Sequence, residues 1–275
     1  MQVGAGREAG RADPADLHPG RGRLADPHLD PRQVRVHRAH ALRVLDHNQV
    51  AVATGVPARE NDAATAGGLD GRARRGGIVD PGMEAVAAGL AERDIATVRY
   101  QFAYMEKGSK RPDPPAVAHA VVRAAIAFAV GRFPHLPLIA GGKSFGGRMT
   151  SQAQAEEPLP GVRGLAFFGF PLHPSGKPAA ERGEHLKQIK LPMLFLQGER
   201  DKLAELLLLK PLMRDLGERA TLHVLPFADH SFHVPARSGR TDDETLAIAL
   251  DAFATWCKTT SKTTSKPLSS SRTRA

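Results

Sequence analysis

Between Ile95 and Thr260, short apolar runs alternate regularly with longer segments of helical periodicity. Runs such as VRGLAFFGF are apolar at nearly every position, which is typical of parallel strands covered on both faces. This alternation predicts a doubly wound, mostly parallel sheet. The predicted strands are Ile95–Phe102, Leu136–Ala140, Val162–Phe170, Leu191–Gln197 and Thr221–Leu225. The predicted helices are Met83–Arg93, Ala116–Phe133, Phe145–Ala155, a polar segment ending near Ile189, Lys202–Leu216 and Asp242–Lys258.

Composition divides the chain into residues 1–77, 78–257 and 258–275. Residues 1–77 contain 12 Arg and five His but no Lys, Ser, Ile or aromatic residue other than His. Apart from short stretches such as Val50–Val56, they show no sustained period. We expect an atypical Arg-, Gly- and Ala-rich extension with little order, and N-terminal strands that are atypical or missing. A metal or anion site there is disfavoured, because no pair of His has a Cys or carboxylate nearby that could act as a further ligand. An unintended start or reading frame is a third interpretation.

The net charge of +9 comes mainly from the two ends. Residues 78–257, the predicted globular domain, hold 21 basic and 20 acidic side chains, whereas residues 258–275 hold five basic and no acidic ones. The latter are expected to be a disordered basic tail. A strongly basic chain often binds nucleic acid, but no nucleic-acid-binding motif lies between the ends, so we do not expect that partner.

Cysteine content and hydropathy bear on the compartment. The single cysteine, Cys257, excludes an intramolecular disulfide and fits a reducing compartment. No run of 18 apolar residues and no secretory signal core is present, so we expect a cytoplasmic protein without a membrane span.

The stretch LPLIAGGKSFGGRM contains a G-x-S-x-G pentapeptide centred on Ser144. It follows a predicted strand and precedes a predicted helix, as a nucleophile elbow requires. The flanking glycines lack the Cβ atoms that would clash in so tight a turn. With 27 Gly in the chain, the pentapeptide arises by chance roughly once in ten such sequences, so its context must decide.

An activated serine needs a base, and the base needs an orienting acid. Asp201 follows the strand Leu191–Gln197, and His230 follows the strand ending at Leu225. Their order after Ser144 fits the Ser, acid, His order expected of such an elbow. Glu199 is the local competitor for the acid and His233 for the base. Asp201 would also suit a helix N-cap, and Asp229 is interpreted as a turn former.

Several longer motifs resemble the small, lidless α/β-hydrolase-like family that is common in bacteria. They are GGKSFGGRMTS, FFGFPLHPSGKP, LPMLFLQGERDKLA, ADHSFHVPARSGR and RYQFAYMEKGSKRPDPP. Animal relatives in that family include a testis-expressed protein and a subunit of the nonspecific-lethal histone acetyltransferase complex. The resemblance covers residues 78–257 and implies an α/β-hydrolase fold without a lid domain. It also implies Ser144 as nucleophile, Asp201 as acid and His230 as base.

The oxyanion hole expected beside such an elbow is formed by two backbone N–H donors. The resemblance implies that Phe145 supplies one. The family carries a His-Gly-Ala-Gly type of loop for the other, and here that place reads GRARRGG, ending at Gly77. The second donor would therefore be Gly76 or Gly77, and an altered loop predicts impaired turnover.

We therefore expect a serine hydrolase that cleaves an ester, thioester or similar acyl bond of a small molecule, without cofactor or metal. The alternative is a catalytically weak or inactive interaction protein that keeps the fold, and a protein partner stays open. Nucleic-acid binding through the basic ends is a third, weaker hypothesis.

Overall fold

The computed structural model describes residues 50–55, 81–107, 109 and 111–263. The strands are β1 (Val50–Gly55), β2 (Ile95–Tyr100), β3 (Leu138–Lys143), β4 (Val162–Phe168), β5 (Met193–Gly198) and β6 (Ala220–Leu225). The α-helices are α1 (Pro81–Ala91), α2 (Ala103–Glu106), α3 (Pro115–Arg132), α4 (Phe145–Glu156), α5 (Leu206–Leu216) and α6 (Asp242–Thr263). Three 3₁₀ helices span Glu181–Gln188, Gly217–Arg219 and Ala236–Ser238.

In the part of the chain that the structure describes, the strands form one sheet in the order β2-β1-β3-β4-β5-β6. Strands β3 to β6 pair in parallel, whereas β1 lies antiparallel to both β2 and β3. Five strands therefore run in one direction, and the carboxyl ends of β3, β5 and β6 lie at the same edge of the sheet. Gly141 permits the close pairing of β3 with β4, because a Cβ there would lie 1.8 Å from the Ala166 carbonyl oxygen.

Helices cover both faces of the sheet. Helices α1 and α6 pack together on one face, and α3 and α4 pack on the other, where α4 contacts the 3₁₀ helix Glu181–Gln188. Consecutive residues of a strand point to opposite faces, so Phe168 lies 5.8 Å from Phe253 of α6 while Phe167 lies 4.8 Å from Phe195 on the other side. Strands β3, β4 and β5 are thus buried on both faces, as their nearly continuous apolar runs predict.

Helix α3 is, among the described residues, the helix long and apolar enough to cross a membrane by length and composition. Its buried side chains lie along one face, and the helix packs against α4 and the strands β1 to β3. The apolar character of α3 therefore fits a layer helix of an α/β domain. The buried residues are Ala118, Val121, Val122, Ala125, Ile126 and Ala129.

The fold predicted from the sequence is confirmed, and the differences lie at element boundaries. The segment predicted to start a helix at Lys202 forms a turn first, because the Asp201 carboxylate accepts the Leu203 N–H at 2.7 Å, and α5 begins at Leu206. The polar segment predicted to be a helix ending near Ile189 is a 3₁₀ helix, and the short helix α2 follows β2.

The predicted domain boundaries at residues 78 and 257 stay predictions. Strand β1 lies upstream of the first and belongs to the sheet, and α6 continues past the second to Thr263. Strand β1 lies antiparallel to both of its neighbours in the sheet, and the expectation of atypical or missing N-terminal strands stays a prediction.

Candidate active site

Ser144 occupies a tight turn between β3 and α4. Its backbone has φ 50° and ψ −117°, a combination that residues other than glycine rarely adopt. The Ser144 N–H donates to the Phe168 carbonyl oxygen at 3.3 Å, which anchors the turn to β4. A Cβ at Gly147 would lie 2.7 Å from the Gly142 carbonyl oxygen, so glycine lets the helix begin close to the strand it leaves. The sequence-predicted elbow is present in the structure.

His230 lies in the loop after β6, with its Nε2 2.9 Å from the Ser144 Oγ. Two neighbours in this loop, Phe227 and Phe232, have positive φ values of 61° and 67°. The His230 ring also packs beside Gly169, where a Cβ would come within 3.3 Å of Nδ1. Only 20% of the His230 side chain is exposed, so its position is set by packing as well as by hydrogen bonds.

Asp201 follows β5, and its side chain is fully buried. Its Oδ2 lies 2.6 Å from His230 Nδ1 and also accepts a hydrogen bond from the Gln197 amide. A carboxylate can only accept, so His230 donates from Nδ1 and its Nε2 accepts the Ser144 hydroxyl proton. The structure thus brings the three predicted side chains together in a chain of hydrogen bonds. Such a chain can remove a proton from a serine hydroxyl as the oxygen attacks an electrophile.

Glu199 and His233, the alternative candidates for the acid and the base, have hydrogen-bond partners outside the triad. Glu199 accepts the Phe227 N–H at 2.8 Å on the exposed side of the loop. His233 pairs with Asp242 at 2.9 Å, and 63% of its side chain is exposed. Asp229 accepts the N–H groups of Ser231 and His233, which is the behaviour of a turn former. Neither competitor contacts Ser144.

Phe145 is the first residue of α4, so its N–H has no partner inside the helix and is available at the elbow. It is therefore suitably placed as an oxyanion donor. The second predicted donor, Gly77, lies outside the described residues, as does Gly76.

A second Ser–His contact lies about two turns further along α4. Ser151 Oγ is 2.7 Å from His185 Nε2, and the hydroxyl also contacts the Arg148 carbonyl oxygen at 2.9 Å. Burial and the nearby Arg148 charge lower the pKa of His185 to about 4. Ser151 is fully buried and thus presents no hydroxyl to a substrate.

Other residues near the elbow were not singled out as site residues from the sequence. The rings of Phe102 and Tyr104 lie 5.2 and 6.0 Å from the Phe145 ring, so the segment after β2 forms one wall beside the elbow. Gln197 is fully buried between Asp201 and the Phe170 N–H. A polar residue at the end of the apolar run LPMLFLQ is the sequence signal for Gln197.

Metal-ligating side chains are not clustered in the described part of the chain, where no group of three or more His, Cys, Asp or Glu is arranged to hold an ion. Cys257 is buried in α6, and burial raises the pKa of its thiol to about 12. That thiol therefore stays protonated and unreactive near neutral pH.

Comparisons with known proteins place the chain in a family. A family model described as an alpha/beta hydrolase domain matches residues 77–258, within one residue at each end of the range over which the sequence resembles the lidless family.

Among similar solved structures, an alpha-beta serine hydrolase homologue from Coxiella burnetii is 19% identical, with a TM-score of 0.49, over 62% of this chain and 75% of that chain. The esterase domain of a Rhodothermus marinus protein is 16% identical, with a TM-score of 0.48, over 65% and 79%. A lidless α/β serine hydrolase from Xanthomonas campestris is 18% identical, with a TM-score of 0.45, over 62% and 73%. The family model matches more than half of the chain, and the protein therefore belongs to the alpha/beta hydrolase domain family.

Proposed function

We propose that the protein is a serine hydrolase that cleaves an ester, thioester or similar acyl bond of a small molecule. The observation that carries the proposal is the His230 ring, which joins Ser144 Oγ at 2.9 Å to Asp201 Oδ2 at 2.6 Å. Serine, imidazole and carboxylate in this order are the parts that nucleophilic acyl transfer requires. The family assignment supports the same reaction class.

In the proposed reaction, Ser144 Oγ attacks the substrate carbonyl carbon while His230 Nε2 takes the hydroxyl proton. The Phe145 N–H, with Gly77 as the proposed second donor, stabilises the oxyanion. His230 then gives the proton to the departing alcohol or thiol, which leaves an acyl group on Ser144. Water attacks this acyl-enzyme with His230 again as base, and the acid is released with the serine restored. Asp201 holds the imidazole and stabilises its charged form.

A fluorophosphonate probe tests the nucleophile. Ser144 is expected to displace fluoride and become covalently phosphonylated, and Ser144→Ala should abolish labelling. Ser151→Ala is the matched control, because it removes a second serine that contacts a histidine. Labelling of Ser144→Ala at the parental rate would contradict the proposal.

Turnover of short p-nitrophenyl esters tests the reaction. Hydrolysis that disappears in His230→Ala is expected from the triad. Labelling without measurable turnover would instead favour the alternative of a catalytically weak interaction protein, consistent with the altered glycine-rich loop at residues 71–77. We also propose that the protein is related to the animal members of the family, including the chromatin-complex subunit.

A further inference from the structure

Arg148 carries a guanidinium back toward the elbow. Its N–H donates to the Ser144 carbonyl oxygen at 3.1 Å, so it lies one turn after the nucleophile in α4. Its guanidinium carbon is 5.6 Å from the centre of the Phe145 ring. Helical side chains tilt toward the N-terminus, and this one therefore returns to the end of α4 that holds Ser144.

The Arg148 side chain lacks a protein partner for part of its donor set. Its Nε is buried and makes no hydrogen bond. Among the described residues, no carboxylate lies within ion-pair distance of Arg148 or Arg182. Leaving a buried donor without a partner is costly. The fork of guanidinium N–H groups matches the geometry of a carboxylate or phosphate.

A second arginine is close enough for its charge to act on Arg148. Arg182 lies in the 3₁₀ helix Glu181–Gln188, which packs against α4 through the Ser151 contact with His185. Burial, followed by the charge of Arg182, lowers the pKa of Arg148, yet a guanidinium stays charged at neutral pH. His185, with its pKa lowered to about 4, is neutral there. The local charge near pH 7 therefore comes from the two arginines.

We propose that Arg148 and Arg182 bind an anionic group of the substrate, so that acyl substrates carrying a carboxylate or phosphate near the scissile bond are preferred over neutral ones. The inference rests on the proposed hydrolase function, because the two arginines would bind a substrate whose acyl bond is attacked by Ser144. The Cβ atoms of residues one helical turn apart lie about 5–6 Å from each other. A short dicarboxylic acyl group spans a comparable distance. The N-terminus of α4 adds a favourable dipole for the anion.

Selectivity between two esters tests the site. The full-length protein is assayed with p-nitrophenyl hemiglutarate and with p-nitrophenyl valerate, which have acyl chains of the same length with and without a carboxylate. The ratio of their kcat/KM values is expected to favour the anionic ester. It should fall about tenfold in Arg148→Gln and in Arg182→Gln, as expected for the loss of a charge-assisted pair. Arg148→Lys should give an intermediate ratio, because it keeps the charge but loses the fork.

Arg163→Gln is the matched control. Arg163 is exposed near the start of β4, at the opposite edge of the sheet from Ser144, and its loss should leave the ratio as in the parent. A parental ratio that favours the neutral ester would overturn the proposal. So would equal losses on both esters in Arg148→Gln, since they would assign Arg148 a general structural role.

Binding without turnover separates this inference from the hydrolase function. Ser144→Ala is titrated calorimetrically with glutarate and with inorganic phosphate at 150 mM NaCl, and the tighter ligand identifies the source of the anion. Binding is expected to disappear when Arg148→Gln is added. If no ester is hydrolysed but this Arg148-dependent binding persists, the hydrolase function fails and the anion site stands. If neither anion binds, the anion site fails whatever the esterase result.

Discussion

Gln197 donates its side-chain N–H to Asp201 Oδ2, the same oxygen that accepts from His230 Nδ1. Its own side-chain oxygen accepts the Phe170 N–H at 2.9 Å. One buried amide therefore ties the loop after β4 to the carboxylate that orients the imidazole. The Asp201 carboxylate is held from three directions, by Gln197, His230 and the Leu203 N–H.

Replacing Gln197 with Leu should lower kcat by about 10²-fold, because a loosened carboxylate lets the His230 ring move from its position against Ser144. The unfolding free energy should fall by about 1–3 kcal/mol, since the Phe170 N–H loses its acceptor. Gln154→Leu is the control. Gln154 is a buried glutamine that accepts the Leu159 N–H away from the triad. Equal kcat losses in the two variants would reduce Gln197 to a stability role, and urea unfolding measured beside esterase kinetics separates the cases.

Asp201→Asn should lower kcat by up to about 10⁴-fold, because the amide can no longer stabilise the imidazolium or enforce the Nδ1–H tautomer. Glu199→Gln should leave kcat near the parental value, since Glu199 bonds to the Phe227 N–H and does not reach His230. Steady-state kinetics on one p-nitrophenyl ester compares the two. A larger loss in Glu199→Gln would move the acid role to Glu199.

Gly198→Ala should reduce both stability and activity. A Cβ at Gly198 would lie 2.3 Å from the Asp229 carbonyl oxygen and 2.6 Å from that of Ala228, so the backbone beside His230 must move. Gly131→Ala in α3 is the control, because nothing lies within 4 Å of its added methyl group. It should be neutral or stabilise the helix by up to about 1 kcal/mol. Thermal unfolding and fluorophosphonate labelling rates measure both variants, and parental labelling of Gly198→Ala would show that the loop absorbs the methyl group.

The His233–Asp242 pair should stabilise the fold over a limited pH range. The Asp242 hydrogen bond raises the pKa of His233 above its ordinary value of 6.5, and the same contact lowers the pKa of Asp242 below its ordinary 3.8. The histidine contribution is complete below pH 6.5 and disappears as pH rises through the folded pKa, whereas the aspartate contribution needs a pH above 3.8. The pair therefore acts most strongly between these two values.

His233→Ala should accordingly lower Tm more at pH 5.5 than at pH 9, and added salt should reduce the difference because both side chains are exposed. His135→Ala, which removes an exposed imidazole from the loop before β3, is the control and should show no such pH dependence. A Tm deficit in His233→Ala that grows toward pH 9 would contradict the assigned pair.

The sheet could be predicted because apolar runs and helical periods are local signals. The proximity of Ser144, Asp201 and His230 could be predicted as well, because each follows a parallel strand and the carboxyl ends of parallel strands meet at one edge of the sheet. Their catalytic roles stay predictions, and what the structure adds is their hydrogen-bonded geometry.

Other features depend on distant partners and leave little trace in sequence. Strand β1 pairs antiparallel with β2 and β3. The local sequence VAVATG does not indicate the direction of the strand. Gly169 and Gly198 make room for the backbone or ring of the His230 loop, a contact that no local pattern encodes. The start of α5 at Leu206 reflects the Asp201 side chain bonding to Leu203, which competes with the helix for the same N–H groups.

Ser144 and His230 meet across 86 residues of chain, and β4, β5 and β6 must be ordered beside β3 before the contact can form. Contacts between residues so far apart in sequence form slowly, because the chain must first close a long loop. A refolding chain should therefore regain its helical circular dichroism before Ser144 regains its reactivity. Covalent labelling of this serine would thus time the completion of the sheet rather than the appearance of secondary structure.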